Sequence, residues 1–146
     1  MFKKILVPTD GSALAEKAVA PAIAFAREIG ASMVTIAVGE QAGGLAFWDG
    51  TGVVPDIQAA EERVRIRTQD QVDRVASQAR AANVPCETLA VLGADPSREI
   101  ISAAKAHQCD IVFMASHGRG GFNSLLLGSV TQKVLAHSTI PVLIYR

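Results

Sequence analysis

Ile5-Leu6-Val7-Pro8-Thr9-Asp10-Gly11-Ser12 joins an apolar run to a tight turn and then to a helix start. A short run of branched residues closed by a proline reads as a strand buried on both faces. Asp10-Gly11 turns the chain, and Ser12 is suited to cap a helix, because its hydroxyl accepts a free backbone N–H. Ala18, Ala22, Phe25 and Ile29 then recur every three or four residues, which predicts a helix with one apolar face. Pro21 lies within it as a kink point, and Gly30 is a natural stop.

The same alternation repeats along the chain. Met33 to Val38 reads as a second strand. Gly39 to Pro55 carries Gly39, Gly43, Gly44, Gly50, Gly52 and Trp48 with few charges, and reads as a long irregular loop. A flap over a site, a contact surface and a plain spacer all fit it. Ile57 to Ala82 predicts an amphipathic helix with Val64, Thr68, Val72, Val75 and Ala79 inward and a solvated face of local ion pairs. Cys86 to Leu92 is a third strand. Asp95 and Pro96 open a helix with Ile100, Ile101 and Ala104 inward. Asp110 to Met114 is a fourth strand, Ser129 to Ala136 a helix and Pro141 to Tyr145 a fifth strand. Strands alternating with helices imply parallel pairing through right-handed crossovers. The expected fold is α/β: one domain over 1–146, a doubly wound, flavodoxin/Rossmann-like five-stranded parallel sheet, helices on both faces, strand order 3-2-1-4-5.

Composition narrows the function classes. Lys plus Arg and Asp plus Glu both number 14, so the formal net charge is zero. That is not the basic footprint of a nucleic-acid binder, and balanced charge permits self-association. No stretch approaches the ~20 apolar residues of a membrane span. The apolar run after Lys3-Lys4 stops at Pro8, too short for a signal sequence, so a cytoplasmic location is expected. Cys86 and Cys109 are far apart, show no metal-ligand spacing and read as reduced thiols.

In a doubly wound sheet, ligands bind beyond the C-terminal strand ends where the strand order reverses. With strand one central, that place brings together the turns after strands one and four. The first carries Pro8-Thr9-Asp10-Gly11. The second reads Ala115-Ser116-His117-Gly118-Arg119-Gly120-Gly121 and runs on to Leu127-Gly128-Ser129-Val130. Glycines let backbone N–H groups approach an anion, a helix start adds its positive dipole end, and Arg119 adds a fixed charge. Asp10 is placed to orient a ribose or to share Mg²⁺ with phosphates. Spacing alone leaves phosphate binding and a purely structural turn both open.

Four pieces together resemble the universal stress protein family over essentially the whole chain. They are Ile5 to Ser12, His117-Gly118-Arg119, Leu126-Leu127-Gly128-Ser129-Val130 and Ile140-Pro141-Val142-Leu143-Ile144. The family's nucleotide-binding members carry Gly-x-x-Gly, nine residues, then Gly-Ser or Gly-Thr, and here nine residues, Arg119 to Leu127, separate Gly118 from Gly128-Ser129. The resemblance implies ATP or AMP as ligand. It implies phosphate contacts at Gly118, Gly128, Ser129 and Val130, ribose or metal contact at Asp10, and adenine contact near Thr9 and Val38. Met114 falls at the pocket edge, and Pro8, Ala115, His117 and Arg119 complete the expected set. One position departs from the pattern: its first glycine is Ala115, a mild change unless that position needs positive φ.

His117 has no nucleophile or acid at a spacing that forms a catalytic set, so a loop histidine bonding backbone or ligand is the simpler reading. Ser129 reads as a helix cap before it reads as a nucleophile. There is no Walker lysine and no clear base. A ligand-dependent regulatory protein is therefore expected ahead of a slow ATPase or phosphotransferase, or of a ligand-free interaction module. The last strand would leave an apolar edge in a monomer, and pairing of two copies along Pro141 to Tyr145 would cover it. The family resemblance implies the same homodimer.

Overall fold

A computed structural model describes residues 1–41, 56–118 and 126–146. Residues 42–55 and 119–125 lie outside the described residues, and with them most of the glycine-rich loop, Trp48 and Arg119. In chain order the elements are β1 (Lys4–Pro8), α1 (Ala13–Ile29), β2 (Ser32–Gly39), α2 (Ile57–Ala81), β3 (Cys86–Leu92), α3 (Pro96–Ala106), β4 (Ile111–Ala115), α4 (Ser129–His137) and β5 (Val142–Tyr145). The strands form one parallel sheet in the order β3-β2-β1-β4-β5, as the alternating pattern requires. Central β1 and β4 are continuous apolar runs because helices cover both faces of the sheet.

Strand alternation sorts the core into two layers. On one face Ile5, Val7, Met33, Ile111 and Phe113 pack with Ala18, Val19, Ala22 and Ala26 of α1 and with Val75 and Ala79 of α2. On the other, Leu6, Val34, Ile36, Val112 and Met114 pack with Ile100, Ala103 and Ala104 of α3 and with Val134 of α4.

Pairing across the sheet is uneven. β1 pairs with β2 from Lys4↔Ser32 to Pro8↔Ile36, but its register with β4 comprises Ile5↔Ile111 and Leu6↔Val112 alone. The N-terminal end of that seam is fastened by Asp110, whose carboxylate accepts the N–H groups of Lys3 at 2.7 Å and Lys4 at 2.9 Å. These two bonds hold the Asp110 carboxyl below the usual carboxylate range.

Ser12 accepts the Ala15 N–H at 3.2 Å as the α1 cap, Gly30 ends α1 at φ 68°, and Asp95 caps α3 with Pro96 in its first turn. Local expectations are corrected elsewhere. The buried face of α1 is Ala15, Ala18, Val19, Ala22, Ile23 and Ala26, with Ile29 39% exposed, because its many alanines leave the phase of the apolar stripe ambiguous. In α3 Ala103, not Ile101, shares the buried face with Ile100 and Ala104. Asp110 precedes its strand rather than beginning it, because its carboxylate is engaged by β1 amides. The α4 cap is Gly128, with Ser129 the first helical residue, so Ser129 is not a cap. Both thiols are free, and burial pushes Cys86 and Cys109 up to about 11.

Candidate functional site

The order reversal between β1 and β4 opens a cleft of about 660 Å³ at the C-terminal strand ends, a size typical of small-molecule sites. Pro8, Thr9 and Asp10 supply it from the β1 exit, Val38 from β2, and Met114, Ala115, His117 and Gly118 from the β4 exit. Gly128, Ser129 and Val130 supply it from the start of α4. Eleven residues expected from the sequence thus line one cleft, and the twelfth, Arg119, lies outside the described residues.

The glycines are required by close approach. A Cβ at Gly118 would run into Asp10 Oδ2, so a bare backbone here lets β1 and β4 exits meet. A Cβ at Gly128 would stand 3.2 Å from His117 Cα, 3.4 Å from Ser116 O and 3.6 Å from Gly118 N. The two glycines on either side of the nine-residue spacing therefore lie against one another. The Gly128 N–H donates to Ser116 O at 2.8 Å, and Thr131 Oγ1 donates to Ala115 O at 3.1 Å. Both bonds pin the α4 N-terminus to the end of β4. The N-terminus of α4, with its positive dipole end, thereby lies at the cleft.

Among the described residues the non-glycine positions with positive φ are Asn83 and Gln108, so Ala115 sits in ordinary backbone. The missing first glycine of the motif adds a methyl and no strain. His117 is buried, with Nδ1 3.0 Å from Ser116 Oγ. Its partner is thus a neighbouring side-chain hydroxyl, not the backbone or ligand that the sequence reading expected.

Asp10 is held in a local turn, where its Oδ1 accepts the Ser12 N–H at 2.9 Å. The adjoining Gly11 has φ 73°, which glycine adopts without cost. Thr9 Oγ1 accepts the Gly11 N–H at 3.2 Å. On the α3/α4 side the cleft is apolar, since Ile36, Val38, Ile100, Met114 and Val130 all belong to the core layer beneath it. One end of the cleft thus suits a flat apolar body and the other an anion.

The sequence reading missed the opposite wall. Arg67, Thr68 and Gln71 of α2 line the cleft; Thr68 was expected inward but with no site role, and Arg67 and Gln71 were expected on the solvated face. Gln71 is 8% exposed, and its Nε2 donates to Asp10 O at 3.1 Å. The available signal was phase: position 71 falls between Thr68 and Val72 on the predicted inner face. Among the described residues no group of three or more His, Cys, Asp or Glu side chains is arranged to hold a metal ion. Mg²⁺ at Asp10 would take its other ligands from phosphate and water. No helix of the described residues is long and apolar enough to cross a membrane.

Comparison with known proteins agrees with this architecture. The universal stress protein family model matches residues 1–146. A universal stress protein of Thermus aquaticus is 34% identical over 150 residues, covering all of both chains, and YxiE of Bacillus subtilis is 33% identical with the same coverage. The solved structure of MJ0577, a universal stress protein of Methanocaldococcus jannaschii, superposes with a TM-score of 0.83 at 27% identity, covering 99% of this chain and 95% of that one. Two further structures share the fold at TM-scores of 0.66 and 0.64. One is a universal stress protein in complex with cAMP, the other that of Archaeoglobus fulgidus in complex with dAMP. A match over the full length, to relatives that are themselves covered end to end, means that the chain belongs to the universal stress protein family.

Proposed function

We propose that this protein binds an adenine nucleotide in the β1/β4 cleft and acts as a ligand-dependent stress-response regulator rather than as an efficient enzyme. The observation that carries the reading is the convergence of Asp10, Gly118 and Gly128 at the switch point, where side chains at the two glycine positions would close the gap. A phosphate seats on the bare backbone and the α4 N-terminus, with Ser129 and Val130 beside it. The Asp10 carboxylate accepts ribose hydroxyls or shares Mg²⁺ with the phosphates. The base lies against Val38, Met114 and the apolar end of the cleft. The cAMP and dAMP complexes of fold relatives support adenine as the base.

Mass spectrometry of nucleotide released from purified protein, followed by calorimetric titration with ATP with and without Mg²⁺, tests this. Binding by the wild type and its loss in a folded Gly128→Val variant is the expected result. No binding of any adenine nucleotide by the wild type rejects it.

The same reading includes a homodimer. β5 is an edge strand with Tyr145 38% exposed, and Leu135 of the neighbouring α4 is 41% exposed. Two copies joined along β5 by a two-fold would cover this apolar edge. Sedimentation showing a monomer at micromolar concentration rejects the dimer without touching the nucleotide site.

A further inference from the structure

The turn that presents Asp10 is braced from within and from outside. The Asp10 side chain is bonded within the turn, and the Asp10 carbonyl oxygen is met by Gln71 of α2, 61 positions along the chain. Gln71 Nε2 donates to Asp10 O at 3.1 Å. The same side chain fills the space beside Gly11: a Cβ there would stand 2.9 Å from Gln71 Nε2 and 3.2 Å from its Cγ. Gly11 has φ 73°, so the turn holds a conformation that most residues resist, with a buried amide packed onto it. A buried polar side chain whose donor reaches a backbone carbonyl holds that backbone, because breaking the bond leaves the buried donor unsatisfied.

We propose that Gln71 is a positioning residue for recognition of the nucleotide's sugar. By clamping the Asp10 carbonyl and bracing Gly11, it fixes the direction of the Asp10 carboxylate, which lies against Gly118 at the centre of the cleft. The ligand class is a nucleotide whose sugar carries a free hydroxyl, read through that hydroxyl. This inference rests on the nucleotide reading above and deepens it. α2 becomes part of the recognition machinery, and its position sets how well the protein tells ribose from a sugar without hydroxyls.

The test compares ATP with 2′,3′-dideoxy-ATP by calorimetric titration, using wild type, Gln71→Met and Gln71→Glu. Met keeps the length and removes the donor. Glu keeps the shape and places an acceptor against the carbonyl. Thermal unfolding of each variant reports the fold. The wild type is expected to prefer ATP. Both variants are expected to lose preference by about fivefold, mostly through weaker ATP binding, the size of effect one hydrogen bond carries. A variant that weakens both nucleotides by the same factor, or one that keeps the wild-type preference, overturns the proposal and leaves the nucleotide reading standing. A wild type that binds both nucleotides equally also overturns it. A wild type that binds neither overturns both.

Discussion

Gly118→Ala separates stability from binding in a way that the cleft geometry fixes in advance. The added methyl meets Asp10 Oδ2, and of the two partners the carboxylate is the one able to move. Gly118 does not have positive φ, so no backbone strain is added. Rotating Asp10 aside breaks its bond with the Ser12 N–H, 2.9 Å long in the native turn. A hydrogen bond to a charged group contributes about 1.5 kcal/mol at the weaker end of its range. The lower chain entropy of alanine in the unfolded state offsets about 0.5 kcal/mol. The net loss of about 1 kcal/mol lowers Tm by about 2–4 °C for a chain of this size. Nucleotide affinity falls further, by about 10- to 100-fold, because the displaced carboxylate no longer reaches the sugar. Thermal unfolding and calorimetric titration of wild type, Gly118→Ala, Asp10→Ala and the double variant measure all of this. In the Asp10→Ala background the methyl meets no other atom among the described residues, so Gly118→Ala is expected to leave Tm unchanged or slightly raised there. Stability losses that add within about 0.3 kcal/mol across the cycle refute the reasoning, since they place the clash elsewhere.

Three further outcomes are expected. Asp110→Asn destabilises the protein at neutral pH. Because the folded Asp110 carboxyl lies below its ordinary range, its contribution is fully present above the unfolded pKa and vanishes as pH falls through the folded one. Wild type and variant therefore converge in acid, as urea unfolding between pH 7 and pH 2 will show. Thr131→Val removes the buried donor to Ala115 O and costs about 1–3 kcal/mol in chemical denaturation, loosening the α4 attachment. Cys86 and Cys109, with burial pushing both up to about 11, are expected to resist iodoacetamide at pH 8 and to react within minutes in denaturant, by mass spectrometry of the alkylated protein.

The fold was legible because the strands are short apolar runs, or in Cys86 to Leu92 an alternating one, that recur between longer helical patterns. The start of β4 moved by one residue at Asp110, where hydrogen bonds rather than hydropathy decide it, whereas α4 begins at Ser129 as expected and only the cap role passes to Gly128. The α1 face was misjudged for a physical reason. Alanines at 13, 15, 18, 20, 22, 24 and 26 put apolar surface all around the helix, and only packing selects the phase. The site was legible as two turns that topology brings together. It was also legible as a glycine spacing, but only because family resemblance gave that spacing a meaning. The α2 wall was legible only in phase, through Thr68 and the position of Gln71 beside it; the bond from Gln71 to a carbonyl 61 positions away is not reported by any local pattern.

The register between β1 and β4 is the shortest in the sheet. β3, β2 and β1 form one well-laced half, β4 and β5 the other, with α1 laid across one face of the join. Asp110 fastens that join at one end only, and the cleft lies at the other. In native-state hydrogen exchange, β4, α4 and β5 should then behave as one cooperative unit that opens before the β1–β2 pair. A molecule gripping Asp10 on one half and Gly128 on the other would act as a rivet across the gap. Its signature would be slowed exchange throughout the β4–β5 half, including amides more than a strand away from any direct contact.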